Sequence, residues 1–429
     1  MYATFSDFLR EIFGINIPLP IQTFGLMMGL AFAAAFITAV SELKRKEGLG
    51  LLHSTKIKVW INKKATSSET FLAVISWSFI GFKALEGVLN YQDLVNNPQE
   101  FILSMKGNVV GLILGAVYGY YTIYSANQKL KDKEPKEIEK EMFPHNHMWN
   151  ILFIGAITGI LGAKIFHNLE NFDELMADPI NALISFSGLT FYGGLILAAA
   201  SIIYYARKNN INPLHLSDAI APGLMLAYGI GRIGCHLSGD GDWGIVNSAY
   251  MLNGAGDMFK AAPGYFESSV LPLYNNYYTN EFGAVQNVKA VYFEGFSFLP
   301  DWFWAFNYHN NVINAGVQMS VCNSAHCYML PNPVFPTALW EAVTCIILFA
   351  LLWKFRTKFT KPGTLISFYM IINGIERFFI EKIRVNTTYN IFGIHPTQAE
   401  LISIALILVG GMMYFYFKNR KPKSISIVE

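Results

Sequence analysis

An arginine at the end of an apolar segment is the first residue whose type and place suggest chemistry. Arg232 closes the apolar stretch 214–232 and lies within a glycine-rich run that ends at position 244. A guanidinium at the end of a membrane helix is costly unless it meets an anion, and its planar fork matches phosphate and carboxylate oxygens. The sequence therefore predicts that Arg232 binds an anion.

Three charged residues near the end of the chain share a helical spacing. Arg377, Glu381 and Arg384 fall at positions i, i+4 and i+7, so they project from one face of a helix. Taken alone, the pattern fits a salt-bridge ladder as well as a binding site. Because one glutamate cannot neutralise these two arginines and Arg232, we expect a further anion, such as a phosphodiester, to bind among them.

The glycine-rich run offers further candidates. Gly239 and Gly244 would let backbone N–H groups approach an anion, although a tight turn at a helix end needs the same residues. His236 could accept a proton near neutral pH, or it could be a polar residue at the level of the lipid headgroups. Asp240 and Asp242 are carboxylates, but the other ligands of a magnesium or calcium loop are missing. We therefore expect no metal.

Membrane helices must hold these residues in place. The chain is 53% hydrophobic and only 14% charged, whereas soluble domains are about 25% charged. Apolar segments long enough to cross a bilayer recur along it. They lie near 23–41, 71–89, 108–125, 149–168, 189–206, 214–232, 337–353, 362–380 and 397–417. The sequence predicts an all-α, polytopic bundle of about nine transmembrane helices in a lipid bilayer, and its net charge of +2 says nothing about partners.

The distribution of lysine and arginine predicts the orientation of the bundle. Basic residues gather after the first and third segments and again in the tail, which places these regions in the cytoplasm and the N-terminus outside. No removable signal peptide is evident. The long aromatic-rich stretch 245–335 then falls outside and predicts a folded head. Cys322 and Cys327 lie in this head, where a local disulfide is slightly favoured over free thiols.

An internal repeat precedes the glycine-rich run. Residues 80–106 resemble residues 161–187 at a constant offset, with Lys83 facing Lys164. The first copy lacks the Phe-Tyr-Gly-Gly sequence at 191–194, so we interpret it as structural. Both lysines fall toward the outer ends of their segments, and we expect them to extend their amines into the headgroup zone.

The motifs together resemble the prolipoprotein diacylglyceryl transferase family. The family's Gly-Arg signature is mirrored at 231–244 with one residue inserted, and its Phe-His-Gly-Gly turn is similar to 191–194. Its Pro-Thr-Gln-Leu-Tyr-Glu helix start resembles 336–341, and its Arg-x₃-Glu-x₂-Arg pattern appears at Arg377, Glu381 and Arg384. Phe24 opens a Phe-Gly-Leu-Met version of the family's Tyr-Gly-Leu-Met, and Gln398 resembles a late glutamine. The resemblance covers 20–41 and 149–417.

This resemblance suggests a division of the chain. We expect an N-terminal segment with the first helix (1–41), cytoplasmic loops with an inserted helix pair (42–148), core helices with the Tyr-Gly-Gly turn and the Gly-Arg signature (149–244), a periplasmic head (245–335), and C-terminal core helices with a cytoplasmic tail (336–429).

The resemblance also implies a reaction. The diacylglyceryl group of phosphatidylglycerol would pass to the lipobox cysteine of a prolipoprotein, releasing glycerol-1-phosphate in the bacterial cytoplasmic membrane, without a cofactor and without nucleic acid. Arg232 and Arg377 would hold the phosphate, and Glu381 would orient Arg377 and Arg384. The other residues implied in substrate binding are Gly193, Gly194, Cys235, Gly239, Gly244, Phe24 and Glu341.

The resemblance leaves two candidates for the proton acceptor. A thiolate is the attacking species, and a free cysteine has a pKa of about 8.5, so a base must assist. Tyr192 occupies the place of the family's histidine, and His236 is the alternative base. Cys235 stands in place of asparagine, Asp240 in place of glutamate, and Phe24 and Asn373 in place of tyrosines.

These departures leave other functions open. One is a diverged relative that uses another anionic phospholipid or another acceptor. An organic-anion transporter would also place arginines and glycine-rich helices near a cavity, but here the arginines gather toward the outer face and the repeat does not duplicate them. An alcohol phosphotransferase would need a carboxylate-rich metal array that the sequence lacks.

Overall fold

The computed structural model describes residues 1–96, 98–184, 190–253, 256–320, 322, 324–386, 389–390, 393 and 395–420. Within these ranges the chain is mostly helical. The helices are α1 (Phe5–Phe13), α2 (Thr23–Gly48), α3 (Ser67–Leu89), α4 (Tyr91–Asn96), α5 (Pro98–Leu103), α6 (Val109–Gln128), α7 (Met148–Glu170), α8 (Phe172–Ala177), α9 (Pro179–Ile184), α10 (Phe191–Lys208), α11 (Pro213–Ser238), α12 (Leu271–Leu273), α13 (Asn275–Phe282), α14 (Thr337–Phe355), α15 (Thr364–Glu381) and α16 (Gln398–Asn419).

Short strands interrupt the helical pattern, so the all-α prediction holds only for the long elements. The strands are β1 (Thr55–Ile61), β2 (Lys136–Met142), β3 (Val246–Asn247), β4 (Tyr250–Leu252), β5 (Met258–Lys260), β6 (Ala290–Val291), β7 (Val317–Gln318) and β8 (Tyr328–Met329). They form four two-stranded sheets, which pair β1 with β2, β3 with β6, β4 with β5, and β7 with β8.

The chain divides into two compact units. One contains Met1, residues 27–55 and residues 143–429, and the other contains residues 2–26 and 56–142. In the smaller unit, α3 packs along α6. In the larger unit, α7 packs along α10, α11 packs against α14 and α15, and α15 packs along α16.

A long helix occupies each of the nine apolar segments named from the sequence. Six segments are long and apolar enough to cross a membrane by length and composition. They are Thr23–Gly48, Ser67–Leu89, Val109–Gln128, Pro144–Glu170, Thr337–Lys358 and Gln398–Asn419. The other three long helices are α10, α11 and α15. The protein is therefore a polytopic helical membrane protein.

Side-chain contacts at one end of α11 fix its alignment with α15. The carboxylate of Asp218 in α11 accepts hydrogen bonds from the backbone N–H groups of Gly363 (2.8 Å) and Ile366 (2.9 Å), at the start of α15. These N–H groups have no partner within their own helix. Met225 of α11, Cys345 of α14 and Leu365, near the start of α15, pack in one buried cluster. The opposite ends of α11 and α15 carry the arginines, and this packing brings them to the same end of the bundle.

The repeat predicted from the sequence is matched by the helix boundaries. α4 and α8 begin at Tyr91 and Phe172, and α5 and α9 begin at Pro98 and Pro179, which gives a constant offset of 81 residues. The residues that end α3 and α7, Asn90 and Asn171, both have φ −117° and ψ 54°. The two segments therefore share a fold.

The prediction that Lys83 extends into the headgroup zone is wrong. Its side chain is buried, and its ammonium donates hydrogen bonds to the backbone carbonyls of Phe101 (2.7 Å), Ser104 (2.5 Å) and Lys106 (2.6 Å). These carbonyls lie at and just beyond the C-terminal end of α5, where a cation is favoured. For Lys164 the interpretation stays a prediction.

Residues 245–335 contain the short strands β3–β8 and have a core of their own. Phe266, Tyr278 and Tyr308 are fully buried in it. Cys322 and Cys327 form a disulfide with their Cα atoms 5.7 Å apart, as the sequence favoured. Cys235 and Cys345 are buried free thiols.

Candidate functional site

A buried glutamate lies at the centre of the site. Glu341 lies in the second turn of α14, and its side chain has no exposed surface. Its Oε2 accepts a hydrogen bond from the Tyr228 hydroxyl at 2.6 Å and forms an ion pair with the Arg232 Nε, also at 2.6 Å. Its Oε1 lies 3.3 Å from the Arg377 Nη1 and 3.2 Å from the Arg384 Nη1. One carboxylate thus joins α11, α14, α15 and the turn after α15, as a buried charge requires.

A second carboxylate bridges two of the same arginines. Asp242, in the turn after α11, pairs with the Nη1 of Arg232 and with the Nη2 of Arg384. Burial alone would raise the pKa of the Asp242 carboxyl, but the two guanidinium groups outweigh it and hold that pKa below its usual range. Asp242 is therefore ionised at neutral pH.

Glu381 completes the cluster. Its Oε2 lies 2.9 Å from the Arg377 Nη2, and its Oε1 accepts a hydrogen bond from the Asn386 side-chain amide at 2.5 Å. The guanidinium of Arg384, which the resemblance also assigned to Glu381, instead contacts Glu341 and Asp242. We call the three arginines and three carboxylates the arginine cluster; its members are Arg232, Arg377, Arg384, Asp242, Glu341 and Glu381.

The arginines have more carboxylate partners than the sequence indicated. From helical spacing, one glutamate was expected to face three arginines, and a further anion was expected to bind among them. The structure supplies three carboxylates for three guanidiniums, so the cluster is neutral as it stands. An incoming anion must therefore exchange with a carboxylate or enter a site that is already balanced.

Exposure shows where the cluster can be reached. The side chains of Arg232 and Arg377 are 14% and 21% exposed, and that of Asp242 is 31% exposed. Glu341 and Glu381 have no exposed side-chain surface. A solute or lipid headgroup can therefore reach Arg232, Arg377 and Asp242, whereas the two glutamates are closed to it.

The glycines at 239 and 244 shape the turn that carries Asp242. Gly239 ends α11 with φ +66°, a left-handed conformation that favours glycine. A Cβ on Gly244 would come within 2.7 Å of the Ile383 carbonyl oxygen and 2.8 Å of the Thr337 side chain. The Gly244 N–H donates to the Phe335 carbonyl at 2.8 Å. Both glycines thus fix the turn, and a role in binding an anion stays a prediction.

Cys235 and the two aspartates of the turn lie together. The Cys235 Sγ is 3.9 Å from the Arg232 Nη1, and the Sγ and carboxylate oxygens of Asp240 and Asp242 lie within 4.8 Å of one another. Burial raises the pKa of the Asp240 carboxyl. Because Asp242 already contacts two guanidiniums, the group does not present three free ligands, and the absence of a metal stays our prediction.

The two candidate bases occupy different surroundings. The Nδ1 of His236 lies 3.1 Å from the Tyr308 hydroxyl, and its ring packs on Phe306 inside the aromatic core. Tyr192, in the first turn of α10, is half-buried and interacts electrostatically with Arg377 and Glu381. The surroundings of Tyr192 are those of the arginine cluster.

Gly193, Gly194 and Phe24 are the remaining residues that the resemblance implied in substrate binding. Gly193 and Gly194 bring α10 close to α7, because added Cβ atoms would overlap Phe166 and approach the Gly159 carbonyl to 2.8 Å. Phe24 is an exposed residue near the start of α2 in the smaller unit. A role in binding substrate stays a prediction for all three.

Sequence reasoning missed two members of this network. Tyr228 precedes Arg232 by four residues on α11, so helical spacing alone could have paired them. Asp242 was considered only as a metal ligand, because nothing in its sequence context identifies Arg384, 142 positions away, as its partner.

The long apolar helices and the arginine cluster at their ends define a polytopic membrane protein with a polar site at one end of its bundle. The chain belongs to the prolipoprotein diacylglyceryl transferase family, which residues 109–416 match. This match begins at α6 and so takes in one helix of the segment interpreted as an insertion.

Relatives with assigned functions agree with this membership. The phosphatidylglycerol–prolipoprotein diacylglyceryl transferase 2 of Clostridium perfringens is 27% identical over 282 residues, which are 66% of this chain and 82% of that protein. The transferase of Clostridium tetani is 25% identical over 71% of this chain and 95% of its own length. That of Staphylococcus carnosus is 28% identical over 64% and 77%.

Proposed function

We propose that this protein transfers the diacylglyceryl group of phosphatidylglycerol to the lipobox cysteine of a prolipoprotein, the first step of lipoprotein maturation. The observation that carries the proposal is the gathering of Arg232, Arg377 and Arg384 at one end of a membrane bundle in a member of this family. Arginine forks bind phosphate oxygens in bidentate fashion, and the donor lipid carries a phosphodiester.

The reaction makes a thioether and releases a phosphate monoester. The thiol sulfur bonds to the glyceryl carbon, the bond from that carbon to the phosphate oxygen breaks, and glycerol-1-phosphate leaves with the bonding electrons. Negative charge grows on the departing phosphate, and Arg232 and Arg377 stabilise it most in the transition state. Glu381 holds Arg377 in position, and Glu341 holds Arg232.

The thiol proton needs an acceptor. Tyr192 is our first candidate, because it occupies the place of the family's histidine and interacts with Arg377 and Glu381. His236 is the second candidate, but its Nδ1 faces Tyr308 inside the aromatic core. Each group would pass the proton to water after transfer.

The topology follows the same proposal. All nine long helices cross the bacterial cytoplasmic membrane, with the N-terminus outside and the C-terminus in the cytoplasm. Residues 245–335 form a periplasmic head that contacts the prolipoprotein, and the chain needs neither a metal nor a cofactor.

Turnover by the purified full chain in detergent tests this function. The assay supplies phosphatidylglycerol and a synthetic lipobox peptide, and it follows glycerol phosphate release and the peptide mass. We expect both products from the natural chain and none from Arg232→Ala. Arg207→Ala is the control, because Arg207 is exposed near the end of α10, and it should retain activity.

Two other outcomes of this assay would contradict the proposal. Near-normal turnover by Arg232→Ala would remove that arginine from the mechanism. No product from the natural chain, beside a working reference enzyme, would indicate a relative with another donor or acceptor.

A further inference from the structure

Asp242 differs from the other two carboxylates of the arginine cluster. Glu341 and Glu381 are helical residues whose side chains have no exposed surface. Asp242 lies in a turn, is 31% exposed, and bridges the guanidiniums of Arg232 and Arg384 on the accessible side. A carboxylate between two arginine forks occupies the place that a phosphate would take.

The backbone of Asp242 is held by hydrogen bonds, while its side chain is partly exposed. Its N–H donates to the Asp240 Oδ1 at 3.3 Å, and its carbonyl accepts a hydrogen bond from the Thr337 hydroxyl at 3.0 Å. Among the described residues, the hydrogen bonds and ion pairs of the Asp242 carboxylate are all with arginines. It can therefore leave them by side-chain rotation, without any movement of the turn.

The charge of the incoming phosphate determines how readily it replaces Asp242 at the two arginines. Two anions on one pair of guanidiniums repel each other. A phosphodiester carries one negative charge and replaces Asp242 without changing the charge of the cluster. A phosphate monoester carries nearly two at neutral pH, since its second pKa is about 6, so its exchange with Asp242 leaves the cluster more negative.

We propose that Asp242 is an internal anion that competes with phosphate for Arg232 and Arg384 and thereby selects phosphodiesters over phosphate monoesters. When no ligand is bound, it keeps the arginines paired. When the monoester product has formed, the return of Asp242 to the arginines expels it. Asp242 is thus a specificity-determining residue, and this inference rests on the proposed function for the identity of the diester.

The test is Asp242→Asn in the full chain, which keeps the side-chain shape and removes the competing charge. Binding of glycerol-1-phosphate is measured by titration calorimetry at pH 8, and product inhibition is measured in the transfer assay. We expect the variant to bind glycerol-1-phosphate at least about tenfold more tightly, a change equivalent to 1.4 kcal/mol, and to be inhibited at correspondingly lower product concentrations. The KM for phosphatidylglycerol should fall by a smaller factor.

The matched control is Asp301→Asn. Asp301 is also a partly exposed aspartate paired with a cation, 3.4 Å from the Lys260 Nζ, but it lies outside the arginine cluster. Its variant should bind glycerol-1-phosphate like the natural chain. Equal or weaker binding by Asp242→Asn than by the natural chain would overturn the proposal.

Thermal unfolding in detergent keeps the proposal testable if the variant is unstable. Removing the carboxylate leaves Arg232 and Arg384 short of one anion, so inorganic phosphate should raise the unfolding temperature of Asp242→Asn and leave that of the natural chain nearly unchanged. Equal shifts in both proteins would contradict the inference. Neither binding readout needs turnover, so absence of transferase activity would refute the proposed function without deciding the role of Asp242.

Discussion

The two copies of the helical repeat have the same construction and different surroundings. The first copy runs from α3 to α6 and the second from α7 to α10. In each, a glycine of the first long helix lies against a glycine carbonyl of the last, Gly81 against Gly111 and Gly162 against Gly193. Small residues at such crossings let membrane helices approach closely. In each copy, these glycine contacts therefore allow the two long helices to pack closely.

The copies differ where the last helix begins. α6 starts with Val109 and Val110, which are exposed, and the Asn108 side chain caps it. α10 starts with Phe191 and Tyr192, and Tyr192 interacts with Arg377 and Glu381. Moreover, α10 contacts α11, the helix that carries Arg232. The repeat thus supplies a scaffold, and its chemistry depends on the helices against which each copy is packed.

The largest effect is expected from filling the glycine contacts. A Cβ at Gly81 or Gly162 would overlap a backbone oxygen, which cannot move aside as a side chain would. We expect Gly81→Val and Gly162→Val each to cost about 3 kcal/mol of stability, the upper end for overpacking. Thermal unfolding in detergent measures this cost, and Gly29→Val, with nothing within 4 Å of its added Cβ, is the control.

Activity then separates the two glycine variants. Gly162→Val displaces the helix that carries Tyr192, so transfer per folded molecule should be lost. Gly81→Val should keep it within about twofold, because its contacts lie in the other compact unit. Equal losses in both variants would show that the first copy also takes part in the reaction.

The next prediction places phenylalanine at the same helix position in each copy. Tyr192 and Val110 are both the second residue of their helices. Tyr192→Phe should lower turnover about 100-fold, the low end of general base catalysis and about 2.7 kcal/mol in the barrier. Val110→Phe should leave it unchanged, since Val110 is 59% exposed. Unchanged turnover by Tyr192→Phe would move the base to His236 or to water.

The sequence predicted the helices well because their signal is local. An apolar run of sufficient length specifies a membrane helix, and the segment predicted at 189–206 is observed at Phe191–Lys208. It did not predict the ribbon of β1 and β2, although their lysines and glutamates alternate and Lys58 lies 3.7 Å from Glu137. That period of two is a strand signal, and it was interpreted only as a basic loop.

The site was only half predictable, for a physical reason. Helical spacing identified Arg377, Glu381 and Arg384, and the pairing of Glu381 with Arg377 lies within one helix. The partners that neutralise the cluster come from other elements, since Glu341 and Arg384 are 43 positions apart. Such pairs follow from packing, and no spacing rule in the sequence encodes them. The prediction of an unneutralised cluster failed at this point.

A smaller effect is expected at the buried lysine of the first copy. Lys83→Met keeps most of the apolar stem but leaves the carbonyls of Phe101, Ser104 and Lys106 without their donor. Hydrogen bonds to a charged group suggest a loss of about 2 kcal/mol in unfolding free energy. Lys106→Met removes only an exposed ion pair with Asp93, 3.5 Å away, and should cost about 0.5 kcal/mol or less. Equal losses in unfolding free energy would mean that the buried ammonium of Lys83 stabilises the fold no more than an exposed ion pair does.

The smallest loss of stability is expected from changing the residues that precede α6 and α10. The Asn108 side chain accepts hydrogen bonds from the N–H groups of Val110 (2.9 Å) and Gly111 (3.3 Å), whereas Thr190 makes no such bond to α10 and donates its hydroxyl to Glu170 at 3.0 Å. Asn108→Ala should therefore destabilise α6 by about 1 kcal/mol, and Thr190→Ala should cost less. Thermal unfolding of both variants in one detergent gives the comparison. A larger cost at Thr190 would show that the start of α10 is held through Glu170, so that the second copy fixes Tyr192 by a contact the first copy lacks.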